Sequence, residues 1–144
     1  MPEDRLGSAP FVRRSGAEMS VGAEQELEFE VADRLVTDVG GTIGASVLST
    51  PGMIGAMERT AAMLAYSSLP EGKATVGFEV CVKHVAAAME GAHCVAHATL
   101  READGRKLRF DVEVTEGERT IGLGTHERRI VDVGAATGVK GDRK

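Results

Sequence analysis

Apolar and polar positions alternate along this chain with a period that changes twice, and those changes delimit its elements. From Gln25 onward Leu27, Phe29 and Val31 alternate with Glu26, Glu28 and Glu30, the two-residue period of a half-buried strand, which predicts strand from Gln25 to Val36. Asp38 to Gly44 carries Gly40, Gly41 and Gly44 and reads as turn. The pattern then becomes nearly continuous. Thr50 is a good N-cap, and Pro51 suits the first helical position because its missing N–H would be unpaired there. Met53 to Tyr66 is almost all apolar or small, so a helix over 50–67 buried on most sides is predicted. Leu69-Pro70-Glu71-Gly72 ends it, since proline cannot continue a helix and glycine permits the turn.

Downstream the two-residue period returns. Thr75 to Ala88 places Val76, Phe78, Val80, Val82 and His84 on one face, with Gly77, Glu79, Cys81, Lys83 and Val85 on the other. A second strand, His93 to Ala103, runs into Asp104-Gly105, a hairpin signal. Leu108, Phe110, Val112 and Val114 then alternate with Arg109, Asp111 and Glu113, and Glu116-Gly117-Glu118 turns the chain into a fourth strand, Thr120 to Val133. One helix packed on one antiparallel sheet is a two-layer α+β domain. Five strands long enough to curl around a single central helix make the hotdog fold. The open edge of such a sheet must be managed, and edge pairing in a homodimer does so. Residues 1–20 show no period and read as a flexible segment, 21–133 as the domain, and 134–144 as a disordered tail.

At 144 residues the chain is one domain with room for a core. Its net charge of −5, with no Trp, one Tyr and four Phe, argues against phosphate-backbone binding and base stacking, so no nucleic-acid partner is expected. No apolar run approaches about 18 residues, so no membrane span is expected either. The first twenty residues hold Glu3, Asp4 and Glu18 among their arginines and lack an apolar centre, unlike a secretory signal or a presequence. Cys81 and Cys94 lack metal-binding spacing and read as free buried thiols in a reducing cytoplasm. His93 and His97 share a strand face without a third ligand, so neither metal nor cofactor is expected.

The chemistry-bearing residue that stands out is Glu58, in the middle of the apolar helix. A carboxylate there costs stability unless it is paired, hydrated or catalytic. Its neighbours Ile54, Gly55, Ala61 and Ala62 are not polar, although a solvated Glu58 beside Arg59 is the alternative. Burial would raise its pKa and a nearby imidazolium would lower it, so a Glu–His pair would exchange protons near neutral pH. Other residues carry two readings. Thr50 is also an ordinary N-cap, and His84, on the face of Val80 and Val82, is also a satisfied core histidine. His126 and Arg128 share a strand face and read as cross-strand pairing. Gly77 marks a bulge or a close backbone approach, whereas Gly122 and Gly124 sit inside a strand, precede no helix and are not a nucleotide loop.

Three segments together, Thr50 through Gly55-Ala56-Met57-Glu58, Cys81-Val82-Lys83-His84, and Ile121-Gly122-Leu123-Gly124-Thr125-His126-Glu127-Arg128, resemble the fluoroacetyl-CoA thioesterase group of the hotdog superfamily, over about residues 25–133. The resemblance implies a homodimeric hydrolase of acyl-CoA thioesters, a further pairing to a tetramer being left open. Thr50, Glu58 and His84 would act together, with Gly77 at the thioester carbonyl. Glu58 would serve as base or nucleophile, His84 would orient it or protonate the leaving thiolate, and Thr50 would position the acyl group or attack it. Scattered cations such as Lys83, Arg59 or Arg128 would hold coenzyme A at the subunit edge. The aromatic lid of the fluoroacetyl enzymes has no counterpart, because Thr37 to Ser49 contains no aromatic residue and Pro51-Gly52 follows the threonine. The hydrolase class is therefore implied and the acyl group is not.

Eight helical residues put about 12 Å between Thr50 and Glu58. Either Thr50 bends back outside the regular first turn, or the two act from different subunits. The chief alternative function is a non-catalytic hotdog protein that binds an acyl group or a small apolar ligand. A hotdog dehydratase would carry a histidine on a loop or at the helix start, and Gly44 to Thr50 has none.

Overall fold

The structure is a computed structural model and describes residues 20–134 together with the short strand Gly138–Lys140. All of the expected flexible segment 1–20 except Ser20, and most of the expected tail, lie outside these residues. Strand β1 (Glu24–Glu30) leads through a 3-10 turn (Asp33–Leu35) to β2 (Val36–Thr37), which pairs with β3 (Val47–Leu48). Helix α1 spans Thr50–Tyr66. Four long strands follow: β4 (Lys73–His84), β5 (His93–Asp104), β6 (Lys107–Glu116) and β7 (Arg119–Gly134). The sheet is antiparallel in the order β1-β5-β6-β7-β4, and β8 (Gly138–Lys140) adds to the end of β7. One helix against five long antiparallel strands is the predicted layout.

The first strand is shorter than its alternation predicts. Phe29 and Val31 reach the core as expected, but the chain leaves the sheet after Glu30 and turns at Asp33, whose φ of 57° breaks the extended run. Helix α1 buries Met53, Ala56, Met57, Thr60, Ala61, Leu64 and Ala65. These recur at three- and four-residue spacing and cover more than half the helix circumference, as the dense apolar run requires. Met53 and Met57 have essentially no exposure, and each such side chain contributes about 1.5–3 kcal/mol on burial. Thr60 is buried too, and its hydroxyl donates back to the Ala56 carbonyl at 2.7 Å.

On the outer face of β7, Glu127 is buried and accepts from Arg109 (3.0 Å) and Arg129 (2.8 Å). Burial works to raise its carboxyl pKa, yet the two arginines outweigh it and hold it below the ordinary value. This fixes β7 with His126 and Arg128 turned to the opposite, helix-facing side. Of the cysteines, Cys94 is buried, and burial is the main cause that pushes its thiol up to about 11. Cys81 is exposed, because β4 is a sheet edge rather than an interior strand.

Gly124 explains how β4 is held so close to β7. A Cβ there would collide with the Cys81 carbonyl oxygen and approach Val82 Cα to 2.6 Å, both of them backbone. At Gly122 it would strike the Met53 sulfur and come within 2.9 Å of the Lys83 carbonyl oxygen. Both glycines therefore serve close strand and helix approach. Gly124→Ala is expected to destabilise the fold by about 1–3 kcal/mol, since overpacked backbone cannot yield as a flexible side chain does. Denaturant unfolding measures this, and an unchanged midpoint would contradict it.

Candidate active site

The residues singled out from the sequence fall into two groups at opposite ends of β4. At one end, Thr50 Oγ1 and His84 Nδ1 lie 2.7 Å apart, within hydrogen-bond distance. Thr50 is free for this contact because Ser49, not Thr50, is the N-cap: Ser49 Oγ accepts from the Gly52 amide at 3.0 Å. Thr50 is instead the first helical residue, with Pro51 behind it in the first turn. The other ring nitrogen of His84, Nε2, is buried and has no hydrogen-bond partner among the described residues. An orphaned polar atom of this kind costs about 1–3 kcal/mol and calls for an explanation.

At the other end stands Glu58. It is half-buried on α1, and its Oε2 lies over Gly77, where a Cβ would come within 3.1 Å of it. The same point above Gly77 is 3.7 Å from Arg128 Nη1 and 3.7 Å from His126 Cε1. The imidazole beside Glu58 within one protomer is thus that of His126, and a buried guanidinium accompanies it. Arg128 is only 8% exposed. Its Nε donates to Thr75 Oγ1 (2.8 Å) and its Nη2 to the Thr75 carbonyl (3.0 Å). Burial lowers its pKa and the Glu58 charge opposes that shift. Arginine remains charged regardless.

A β-bulge brings Gly77 and His84 to the same side of the sheet. The register runs Gly77↔Arg128 and then Glu79↔Glu127, so Phe78 is the extra residue. Thr75 and Gly77 face the helix before it, and Val82 and His84 face it after it. Simple alternation had set Gly77 and His84 on opposite faces and had put Val76 and Phe78 inside. They are instead 40% and 60% exposed, and Arg129 stacks over the Phe78 ring at 3.9 Å.

A cavity of about 660 Å³ opens beside Glu58, with Leu35, Pro51, Gly55, Gly77 and Arg128 among its walls. Arg59 and Arg34 also border it, whereas Thr50 and His84 do not. His97 pairs with Glu24 at 2.8 Å on the sheet, and among the described residues no group of three His, Cys, Asp or Glu side chains is placed to hold a metal. Among the described residues no helix is long and apolar enough to cross a membrane. Sequence reasoning missed Ser49 as the cap, Thr75 as the anchor of Arg128, and His126 as the neighbour of Glu58. The paired even positions of His126 and Arg128 were the one available signal.

Comparison with known proteins bears on the fold and the family. A fluoroacetyl-CoA thioesterase from Streptantibioticus cattleyicolor is 35% identical over 85 residues, which cover 59% of this chain and 61% of that enzyme. The matched stretch therefore spans under two thirds of the relative's length. A crystal structure of a mutant of the fluoroacetyl-CoA-specific thioesterase FlK, in complex with fluoroacetate and CoA, superposes with a TM-score of 0.73 at 29% identity over 79% of this chain and 96% of that one. A hot-dog-like protein from Thermanaerovibrio acidaminovorans, at 21% identity, shares the fold with a TM-score of 0.71 over 78% of this chain and 83% of its own. Residues 31–134 match the family described as FlK, fluoroacetyl-CoA-specific thioesterase. That span holds α1, β4 and β7 with every group of the two clusters, and the chain belongs to this family of hotdog-fold proteins.

Proposed function

We propose that this protein hydrolyses an acyl-CoA or related acyl thioester to the free acid and thiol, as a homodimer in the cytoplasm. The observation that carries the reading is the state of His84: one ring nitrogen engages Thr50, and the other is buried with no partner among the described residues. With the Thr50 hydroxyl donating to Nδ1, Nε2 bears the proton and is left as a free donor. A leaving thiolate or a carboxylate is what such a donor fits.

Within one protomer Glu58 stands about 12 Å of helix rise from Thr50. Edge strand β4 offers the way to join the two groups. Among the described residues its only ladder partner is β7, so its other side presents unpaired backbone beside the exposed Val76 and Phe78. Edges of this kind are covered by pairing. A two-fold axis through the middle of β4 would lay the Gly77 end of one protomer beside the His84 end of its partner. Each dimer would then contain two composite sites, each with Glu58, Gly77 and Arg128 from one subunit and Thr50 and His84 from the other.

In such a site Glu58 takes a proton from water, and the resulting hydroxide attacks the thioester carbonyl carbon. The Gly77 region faces the carbonyl, and Arg128 carries the positive charge that favours the developing oxyanion. The C–S bond breaks while His84 Nε2–H donates a hydrogen bond to the leaving thiolate, and the proton that Glu58 took from water passes to the sulfur, which returns Glu58 to its carboxylate. Water is consumed and one acid and one thiol are released. Exposed Cys81 fits a reducing compartment.

The test is release of free thiol from a panel of short, medium and aromatic acyl-CoAs. Turnover of at least one is expected. Binding without release from any of them would establish the non-catalytic ligand-binding protein instead.

A further inference from the structure

The contacts of His126 are more restrictive than a core histidine needs. Its ring is 2% exposed, between the Phe110 ring on β6 (centroids 6.3 Å apart), the β4 bulge and Arg128. His126 Nε2 is 3.2 Å from Arg128 Nη1, and Nδ1 is 2.8 Å from the Glu79 carbonyl oxygen. A guanidinium nitrogen only donates and a carbonyl only accepts. Nε2 must therefore be bare and Nδ1 must carry the proton. Only the neutral Nδ1–H tautomer satisfies both neighbours.

We propose that His126 is a positioning residue. Anchored on the bulge carbonyl of Glu79, it accepts from Arg128 through Nε2 and so holds the guanidinium beside Glu58 over Gly77. Thr75 holds the other two guanidinium nitrogens (2.8 and 3.0 Å), and His126 supplies the acceptor for Nη1, the nitrogen nearest Gly77, so the planar group is held along a third edge. The imidazole itself lines no part of the cavity and acts only through Arg128. This rests on the thioesterase reading for its catalytic consequence, though the tautomer itself does not.

The charged groups facing His126 are few. Arg128 on β7 and Glu58 on α1 bear on it with opposite signs. From β4 it meets the Glu79 carbonyl, the Glu79 carboxylate being turned to Arg109 at 3.6 Å, and from β6 it meets only the uncharged Phe110 ring. Burial, the leading cause, lowers its pKa below the ordinary 6.5 despite the Glu79 hydrogen bond. The latch thus holds at neutral pH and opens as pH falls through the lowered pKa. Protonation would then aim an N–H at an N–H and set two cations side by side.

Three measurements test this. Nitrogen-15 NMR of the wild-type protein is expected to show His126 with a bare Nε2 at neutral pH, and a protonated Nε2 would overturn the proposal whatever the enzyme does. His126→Asn keeps a donor for Glu79 but offers Arg128 no acceptor; kcat is expected to fall about ten- to hundredfold, with KM and Tm changing little. His126→Gln offers an acceptor near the Nε2 position and cannot titrate, so it is expected to restore most of kcat and to remove an acid limb from the pH profile. If both variants lose Tm and kcat together, or if His126→Asn is as active as wild type, His126 is merely structural. A wild-type protein that releases no thiol would refute the hydrolase, while the NMR result would still decide the latch.

Discussion

Glu58→Gln is expected to lower thioester turnover by about 10²- to 10⁴-fold, the usual contribution of a positioned proton-transfer group. The amide is nearly isosteric with the carboxylate and keeps an acceptor oxygen over Gly77, so packing on α1 changes little. It cannot take a proton from water. Removing the charge also leaves Arg128, 8% exposed, without the carboxylate that offsets its burial. A modest loss of stability is therefore expected alongside the kinetic one, and the two are separable. Calorimetry should find acyl-CoA bound with Kd within about threefold of wild type, because an equal effect on ground and transition states would leave kcat intact. Full retention of turnover would remove Glu58 from the chemistry. Loss of binding in step with turnover would make it a docking residue.

The fold was legible because most of each element keeps one period. Phe29 and Val31 alternate with glutamates, Met53 to Ala65 fill a helix too apolar for a surface, and Asp104-Gly105 closes a hairpin at the predicted place, with Gly105 at positive φ. For the candidate site, single residues such as Glu58, Gly77 and Arg128 could be picked out of the sequence, but their arrangement in space could not. Parity along β4 is reversed by the single extra residue Phe78, and a one-residue slip sends every following side chain to the other face. Gly77 marks a bulge in one of its two sequence readings, but which residue is the extra one depends on how Gly77 and Glu79 meet Arg128 and Glu127 across the ladder. The helix cap was misplaced by one for a similar reason. Ser49 and Thr50 are both good caps, and the close approach of Gly52 to the Leu35 carbonyl fixes which of them turns inward. His126 could be placed beside Arg128 from spacing, but Glu58 as their shared neighbour follows only from the packing of α1 on β4 and β7.

Glu58→Gln and His84→Ala, each nearly inactive alone, are expected to restore activity when their subunits are mixed. If every site takes Glu58 from one protomer and His84 from the other, a mixed dimer contains one intact site and one doubly altered site. Random equimolar exchange makes about half the dimers mixed, so about a quarter of all sites are intact and roughly a quarter of wild-type turnover returns. Against parents reduced by about 10²-fold or more, that recovery is large. A site built within one protomer predicts no recovery at any mixing ratio, because neither chain then carries both groups. The physical basis is the pairing of His84 Nδ1 with Thr50 and the solitude of buried Nε2. The carboxylate that would complete that ring lies over Gly77 at the far end of the same strand, and an antiparallel partner strand would bring its counterpart within reach. Size-exclusion chromatography of the mixture must show dimers, and dilution to monomers should abolish the recovered activity.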